Sequence, residues 1–525
     1  MRLILETILQ LPRLAEDASV SLLDFVLARN VLDFRRSTMR LRYLLPFWTS
    51  RGLFIGSLLA LQGCSPGARD PIDASVDANL EIHERLARVP GATWEVPAET
   101  GVTHEYELIA APTRTMLLDG RELDVWAYNG QVPGPILRAN VGDRIRVRLV
   151  NQLPQPTSIH WHGLRLDNSM DGVPGVTQPP VAPGETFNYE FIVKDAGTLW
   201  FHPHVRGSEQ VERGLHGVLI VADGATTTDR EEVWVLDDWR LGEDGQIDPQ
   251  FITRHDLAHD GRWGQVLTVN GVTGRVLDLR PGERVRLRLL NVANGRVFRP
   301  RFGPLEARVI AFDGRPTARP LPADTLELAP GNRADVELTA PAEPQTIVVE
   351  DTFTRRRLPL ASIRVDGEPA EKALTEVPPA TLPSPDWTAA ATMPPDETIR
   401  LQARRGGPYG VEWTLNDEAM RHAHSEHASV QHEARYTMKE GRFTKLRFIN
   451  ESGRLHPMHL HGQFFRVLAR DGIAADEGHW RDTVLVDPRE TVDIGLVPRD
   501  VGTWALHCHI QEHHDSGMMT MVKVQ

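Results

Sequence analysis

The sequence predicts an all-β protein built from three related β-domains. Two observations carry this. From about residue 96 onward the chain reads as short alternating runs punctuated by Gly, Pro, Asn and Asp, such as DRIRVRLV (Asp143–Val150), ERVRLRLL (Glu283–Leu290) and FTKLRFI (Phe443–Ile449). Alternation with period two is the mark of strands, and the main body shows no long helical periodicity. These runs also recur in a fixed frame. Gly142 is followed nine residues later by Asn151, Gly282 by Asn291 and Gly441 by Asn450. A second element recurs as DAGTLWFHPH (Asp195–His204) and DVGTWALHCH (Asp500–His509). Self-similarity of this kind marks repeated structural units.

Length agrees with that count, because 525 residues hold about three domains at ~100–200 residues each. With 41% hydrophobic and 25% charged residues the chain is neither collagen-like, nor largely disordered, nor a multi-pass membrane protein. A net charge of −13 argues against a nucleic-acid-binding surface. Two cysteines, Cys64 and Cys508, exclude a disulfide scaffold.

In chain order, residues 1–64 read as a leader region. Leu53–Leu61 (LFIGSLLAL) is too short to span a bilayer but suits the apolar region of a secretory signal, with Arg40, Arg42 and Arg51 before it. Leu61–Cys64 resembles a lipobox with Gln62 in place of the usual small residue, and Met39 makes a natural start. Export to the periplasm or cell envelope is expected, with a lipid anchor at Cys64 as the sole membrane contact; a cleaved leader with an incidental Cys64 is the plainer alternative. Residues 65–95 are polar and read as a tether, 96–226 as the first domain, and 227–366 as the second. A Pro- and Ala-rich linker over 367–395 precedes the third domain, 396–525.

Histidines mark the chemistry. Nine and eleven residues past Asn151 stand His160 and His162; the same offsets from Asn450 give His459 and His461, and from Asn291 only Pro300 and Phe302. The second element adds His202/His204 and His507/His509 in register, with Cys508 in the place of Pro203. Side chains two apart on a strand share a face, so each pair is a bidentate imidazole donor suited to copper or zinc. The first and third domains carry these pairs; the middle one lacks them. Cys508 points to the face opposite His507 and His509. With His456, His513 and Met518 it makes a His2Cys set with a weak thioether, the donor set of blue copper. Zinc fits less well, because its sites favour closed Cys/His tetrahedra. Trp200 and Trp504 read as core aromatics.

HWHG (His160–Gly163), WFHPH (Trp200–His204), HPMHLHG (His456–Gly462) and HCHIQEHHDSGM (His507–Met518) resemble the four copper signatures of the multicopper oxidase family, which includes laccases and bacterial copper-efflux oxidases. The resemblance covers roughly residues 95–525 and implies three cupredoxin-like Greek-key β-sandwiches with four copper ions per chain. It assigns His456, Cys508, His513 and Met518 to one type 1 copper, and His160 and His459 to one type 2 copper. His162, His202, His204, His461, His507 and His509 fall to two type 3 coppers. It further implies four one-electron oxidations of a small donor coupled to reduction of O2 to water, with electrons crossing from Cys508 through His507 and His509.

The same resemblance makes Asp171, in MDGVPG, the cluster-side carboxylate, although an aspartate before glycine is also an ordinary turn residue. Many bacterial relatives carry a glutamate where this chain has His514, so Glu512 and His514 are the candidates for proton transfer on that side. For the donor, 11 methionines with no methionine-rich run argue against a dedicated Cu(I) site and favour phenols and aromatic amines; Cu(I) is the alternative. His422, His424, His427 and His432 could recruit metal or form a solvated loop. A copper-binding protein without catalysis and a copper nitrite reductase are the other classes, and the complete histidine set speaks against both. Oligomeric state is not indicated.

Overall fold

A computed structural model describes residues 80–92, 95–118, 120–222, 228–371, 385–420, 433–475 and 477–525. Leu53–Leu61, Cys64 and the histidines from His422 to His432 lie outside them. Six sheets are present among the described residues, two per repeat. In the first repeat, strands Arg121–Tyr128, Thr103–Leu117, Arg144–Asn151 and Thr186–Ile192 form one sheet. Ile136–Asn140, Gly217–Ala222, Gly197–His202 and His160–His162 form the other. The middle repeat pairs a six-stranded with a four-stranded sheet, and the third pairs a six-stranded with a five-stranded one. All-β architecture with three cupredoxin-like domains is thus the observed fold.

The recurring strand plays the same part each time. Arg144–Asn151 runs parallel to Thr103–Leu117, Arg284–Asn291 to Arg230–Trp239, and Thr444–Asn450 to Glu397–Arg405. On its other side each pairs antiparallel with the next strand of its sheet. Gly142, Gly282 and Gly441 have φ of 88°, 76° and 70°, the left-handed turn that launches the strand and that only glycine adopts without strain. The closing asparagines explain the other fixed point. Asn151, Asn291 and Asn450 are buried. Each side chain accepts from the backbone N–H two residues on and donates to two carbonyls, which satisfies a loop where ladder bonds end.

Two segments read as connectors are folded where they are described. Residues 80–87 form a helix, and Leu86 and Ala92 pack with Trp387, Phe443, Phe464 and Trp480. Trp387 Nε1 donates to the Leu86 carbonyl (3.0 Å), and His83 Nδ1 to that of Phe443 (2.7 Å). Burying Leu86 is worth ~2 kcal/mol, and the burial of Ala92 and these two hydrogen bonds add to it. Apolar contacts run continuously through the first and third domains and take in Leu257, Val297 and Ala329 of the middle domain, whose main core lies around Trp234, Leu287 and Val336. Among the described residues no helix is long and apolar enough to cross a membrane.

Candidate metal centre

The four His-x-His pairs converge from two domains. In the first, His160 lies opposite His202 across adjacent strands; in the third, His459 lies opposite His507. Three buried groups result, each with its donor atoms within 4.8 Å of one another: His160/His162/His459, His162/His202/His509 and His204/His461/His507. Cross-domain pairs stack face to face, with His160 on His461 and His162 on His459 at 3.7 Å between centroids. Trp200, beyond filling core, forms a wall of this site, stacked on His202 at 4.2 Å.

Two aspartates orient the rings in matching fashion. The Asp171 carbonyl accepts from His160 Nδ1 (2.9 Å), and its carboxylate accepts from His461 Nδ1 across the domain boundary (2.9 Å). Asp482 repeats this from the other side: its carbonyl accepts from His459 Nδ1 (2.9 Å) and its carboxylate from His162 Nε2 (3.1 Å). The middle domain enters here. Arg333, fully buried, donates to both Asp482 oxygens (2.9 and 2.6 Å) and to the Thr198 carbonyl of the first domain (3.1 Å). Burial opposes ionisation of Asp482, but Arg333 and His162 outweigh it and hold the carboxyl well below the usual range. Neighbouring Asp313 goes the other way, pushed up to about 6 by burial and by the Asp482 charge.

Asp482, Arg333 and Gly331 were absent from the sequence reading. Asp171 follows His160 by 11 residues, but Asp482 follows His459 by 23, so no repeat spacing exposes it. Arg333 and Gly331 belong to the domain that lacks the His-x-His pairs. A Cβ on Gly331, at φ +89°, would meet His509 Cδ2 at 2.9 Å and His162 Cε1 at 3.0 Å.

The thiolate site lies on the opposite face of the same strand, Gly502–Cys508. His456 Nδ1 and His513 Nδ1 stand 3.7 and 3.8 Å from Cys508 Sγ, and all three residues are buried. Met518, also buried, is tied in through backbone: its carbonyl accepts from Cys508 N and its N–H donates to the His513 carbonyl, both at 3.1 Å. Trp413 packs on both rings, 4.6 Å from His456 and 4.3 Å from His513. His456 Nε2 bonds Ser452 Oγ (2.9 Å) and His513 Nε2 donates to the His259 carbonyl (2.8 Å), which leaves each Nδ1 lone pair for the thiol side. The His507 Nδ1–H donates to the Cys508 carbonyl (2.9 Å), so the two sites meet at consecutive residues.

Electrostatics suit cations. Burial pushes His162, His202, His461, His507 and His509 well below the ordinary imidazole value, and crowding by neighbouring imidazoles adds to it. Burial likewise takes His513 to about 3 and raises the Cys508 thiol. Neutral imidazole is the ligand form, and a bound cation reverses the penalty on a buried thiolate. His461 and His507 donate through Nδ1, yet their Nε2 lone pairs face each other at 2.9 Å. Among the described residues His160 Nε2, His162 Nδ1, His202 Nε2 and His459 Nε2 are buried without a hydrogen-bond partner, while the opposite nitrogen of each is a committed donor. Lone pairs so arranged repel one another unless a cation sits among them, and imidazole with thiolate suits copper.

The proton-transfer candidates separate. Asp171 lies within the histidine cluster. The ring of His514 lies at its edge, 4.9 Å from His204 and 4.7 Å from His507, with Nδ1 3.3 Å from Asp515 Oδ1. Glu512 turns to the middle domain instead, accepting from Arg262 N (3.0 Å) and Asn294 Nδ2 (2.9 Å), and burial raises its carboxyl to about 8.

Comparisons with known proteins agree with this construction. Multicopper oxidase family models match residues 110–226, 231–358 and 392–525. The chain is 30% identical to multicopper oxidase MmcO of Mycobacterium tuberculosis, over 77% of this chain and 84% of that one. It is 27% identical to laccase-2 of Botryotinia fuckeliana, over 81% and 82% of the two chains. A crystal structure of a multi-copper oxidase from Pseudomonas thermotolerans superposes with a TM-score of 0.71 at 34% identity, covering 81% of this chain and all of that one. A cation-ready histidine cluster shared by two domains, a thiolate site one residue away and these matches place the chain in the multicopper oxidase family.

Proposed function

We propose that this chain is an oxidase that reduces O2 to water with electrons from a small one-electron donor, and that Cu(I) suits it better than phenols or aromatic amines. The proposal assigns four copper ions per chain. His456, Cys508 and His513, with Met518 beside them, would hold one; His160 and His459 would hold the second. His162, His202 and His509 would hold the third, and His204, His461 and His507 the fourth. Bound copper supplies one-electron redox chemistry and the four-electron reduction of O2. The supporting observation is the union of both donor sets on one strand, where His507 and His509 flank Cys508.

The chain's own residues do the rest. Asp171 and Asp482 fix ring orientation by accepting hydrogen bonds from ring nitrogens, and such partners raise ligand basicity. Asp171, bonded to His461, and His514, beside His204 and His507, are the proton donors we assign to water formation. Glu512 takes no part in this reading, because both of its oxygens are bonded to the middle domain.

Donor preference turns on His513. Its ring is fully buried beneath Trp413 and the His259 carbonyl, so no donor of either kind touches it directly. Electrons enter over the His259 segment, which favours a small ion held at the surface. Phenols and aromatic amines are the second reading. They are favoured by the lack of a methionine-rich run and by an open cavity of about 600 Å3 lined by Phe251, Tyr409, Ser208 and Asp515 at the end of the helix that carries His513. Oxygen uptake by the copper-loaded protein, with Cu(I) and an electron-rich phenol side by side, tests this. Faster uptake with Cu(I) is expected; faster uptake with the phenol reverses the preference, and no uptake with either ends the oxidase reading. We also propose export with lipid attachment at Cys64; a Cys64→Ala variant recovered from the membrane fraction like wild type would overturn the attachment.

A further inference from the structure

We propose that His255 and His259 form a surface site for a copper-class cation, coupled to the thiolate site through the backbone of His259. The inference rests on the metal-ion reading above and names where the donor docks. Both histidines are exposed, one helical turn apart on Arg254–Ala258 and its C-cap. Residues four apart on a turn are neighbours, and here the two imidazoles are in contact, with centroids 4.1 Å apart and planes at 57°. His259 Nδ1 donates to the His255 carbonyl (2.8 Å), which commits that nitrogen and leaves Nε2 as its ligand atom. Rings with centroids this close are within reach of one ion, and paired imidazoles suit copper and zinc.

An exposed histidine pair alone is commonplace. This one sits on a rigid support with a specific connection. Thr253 and Asp256 close a capping box at the start of the helix, and Arg240 holds Asp256 with bonds of 2.7 and 3.0 Å. Asp260 is pinned by Leu455 N (2.9 Å), on the residue next to His456. The carbonyl of His259 is the acceptor for His513 Nε2 (2.8 Å). One residue therefore presents an imidazole to solvent and a carbonyl to the buried ring of the thiolate site. The path between them is a handful of covalent bonds and one hydrogen bond. A net charge of −13 adds a general attraction for cations. In turnover four Cu(I) ions lose one electron each, and O2 takes those four electrons and four protons to give two waters.

Zinc, which cannot be oxidised, is the probe. Fully copper-loaded wild type and the double variant His255→Ala/His259→Ala are titrated with Zn(II) by calorimetry, and KM for Cu(I) is measured for both. The substitutions remove imidazoles but keep the His259 carbonyl on His513. The variant is expected to bind one zinc fewer per chain and to show a KM for Cu(I) about tenfold higher. Equal zinc binding by both proteins overturns the site. Loss of the zinc with an unchanged KM overturns its role in docking the donor. If wild type does not oxidise Cu(I), the donor reading fails, while the zinc stoichiometry still decides the site.

Discussion

Asp482 shows how much of the candidate metal centre depends on residues outside its candidate donor groups. It orients His162 with its carboxylate and His459 with its carbonyl, and Arg333 neutralises it. Asp482→Ala should lower cluster copper occupancy and oxygen uptake by roughly 10–100-fold, the usual cost of losing a partner of a metal-bound histidine. Copper per chain, measured beside uptake, checks this; full occupancy with full activity would show that the rings hold their orientation unaided. The mirrored roles of Asp171 and Asp482 also suit a repeat, since each domain contributes a strand histidine and a carboxylate that reaches across to the other.

At the scale of elements, turns decide as much as strands. The turn at Gly331 lies against His162 and His509, and its φ of +89° excludes a Cβ twice over, by strain and by contact. Gly331→Ala should cost ~1–2 kcal/mol from the left-handed backbone alone and displace a cluster ring. Denaturant unfolding together with the electron paramagnetic resonance spectrum of the copper-loaded variant would reveal both effects. A second element-level prediction concerns the strand and loop joined by Glu477, which bonds Arg470 and Arg481 (both 2.7 Å). Burial opposes the Glu477 charge, but Arg481 and Arg470 prevail and set its carboxyl at about 2, against an ordinary 4.5. A depressed value means that this stabilisation is present above about pH 4.5 and is lost as pH falls toward 2. In metal-free protein, Glu477→Gln should therefore be less stable than wild type at pH 7, with the gap narrowing below pH 4.5 and closing only as pH falls to about 2. A gap independent of pH would refute the assignment.

On the scale of the whole molecule, the middle domain ties the other two together. Arg333 donates to the first domain at Thr198 and to the third at Asp482, and Thr198 Oγ1 donates back to Asp335 of the middle domain (2.6 Å). Arg333→Met would leave Asp482 and Asp313 facing each other in a buried site without their cation. Breaking a buried ion pair on one side costs ~3–5 kcal/mol. The expected result is lower thermal stability and lost cluster copper, read by calorimetry and metal analysis; an unchanged melting temperature with full copper would return the middle domain to a spacing role.

The sequence by itself determined the all-β class, the threefold repeat and the positions of the histidines, the cysteine and Met518. It could do so because those features are local. Strand alternation puts residues two apart on one face, and a glycine turn and a buried asparagine bracket each repeated strand at constant spacing. Trp387 and Leu86 escaped notice because their burial arises only when distant segments meet. Tertiary structure alone decided that Asp482 pairs with His162, that Arg333 bridges three domains, and that Glu512 faces away from the cluster. It also decided that His513 is roofed by the His259 carbonyl. None of these contacts has a period or a spacing to betray it, because each joins residues of different domains through a side chain or a single carbonyl.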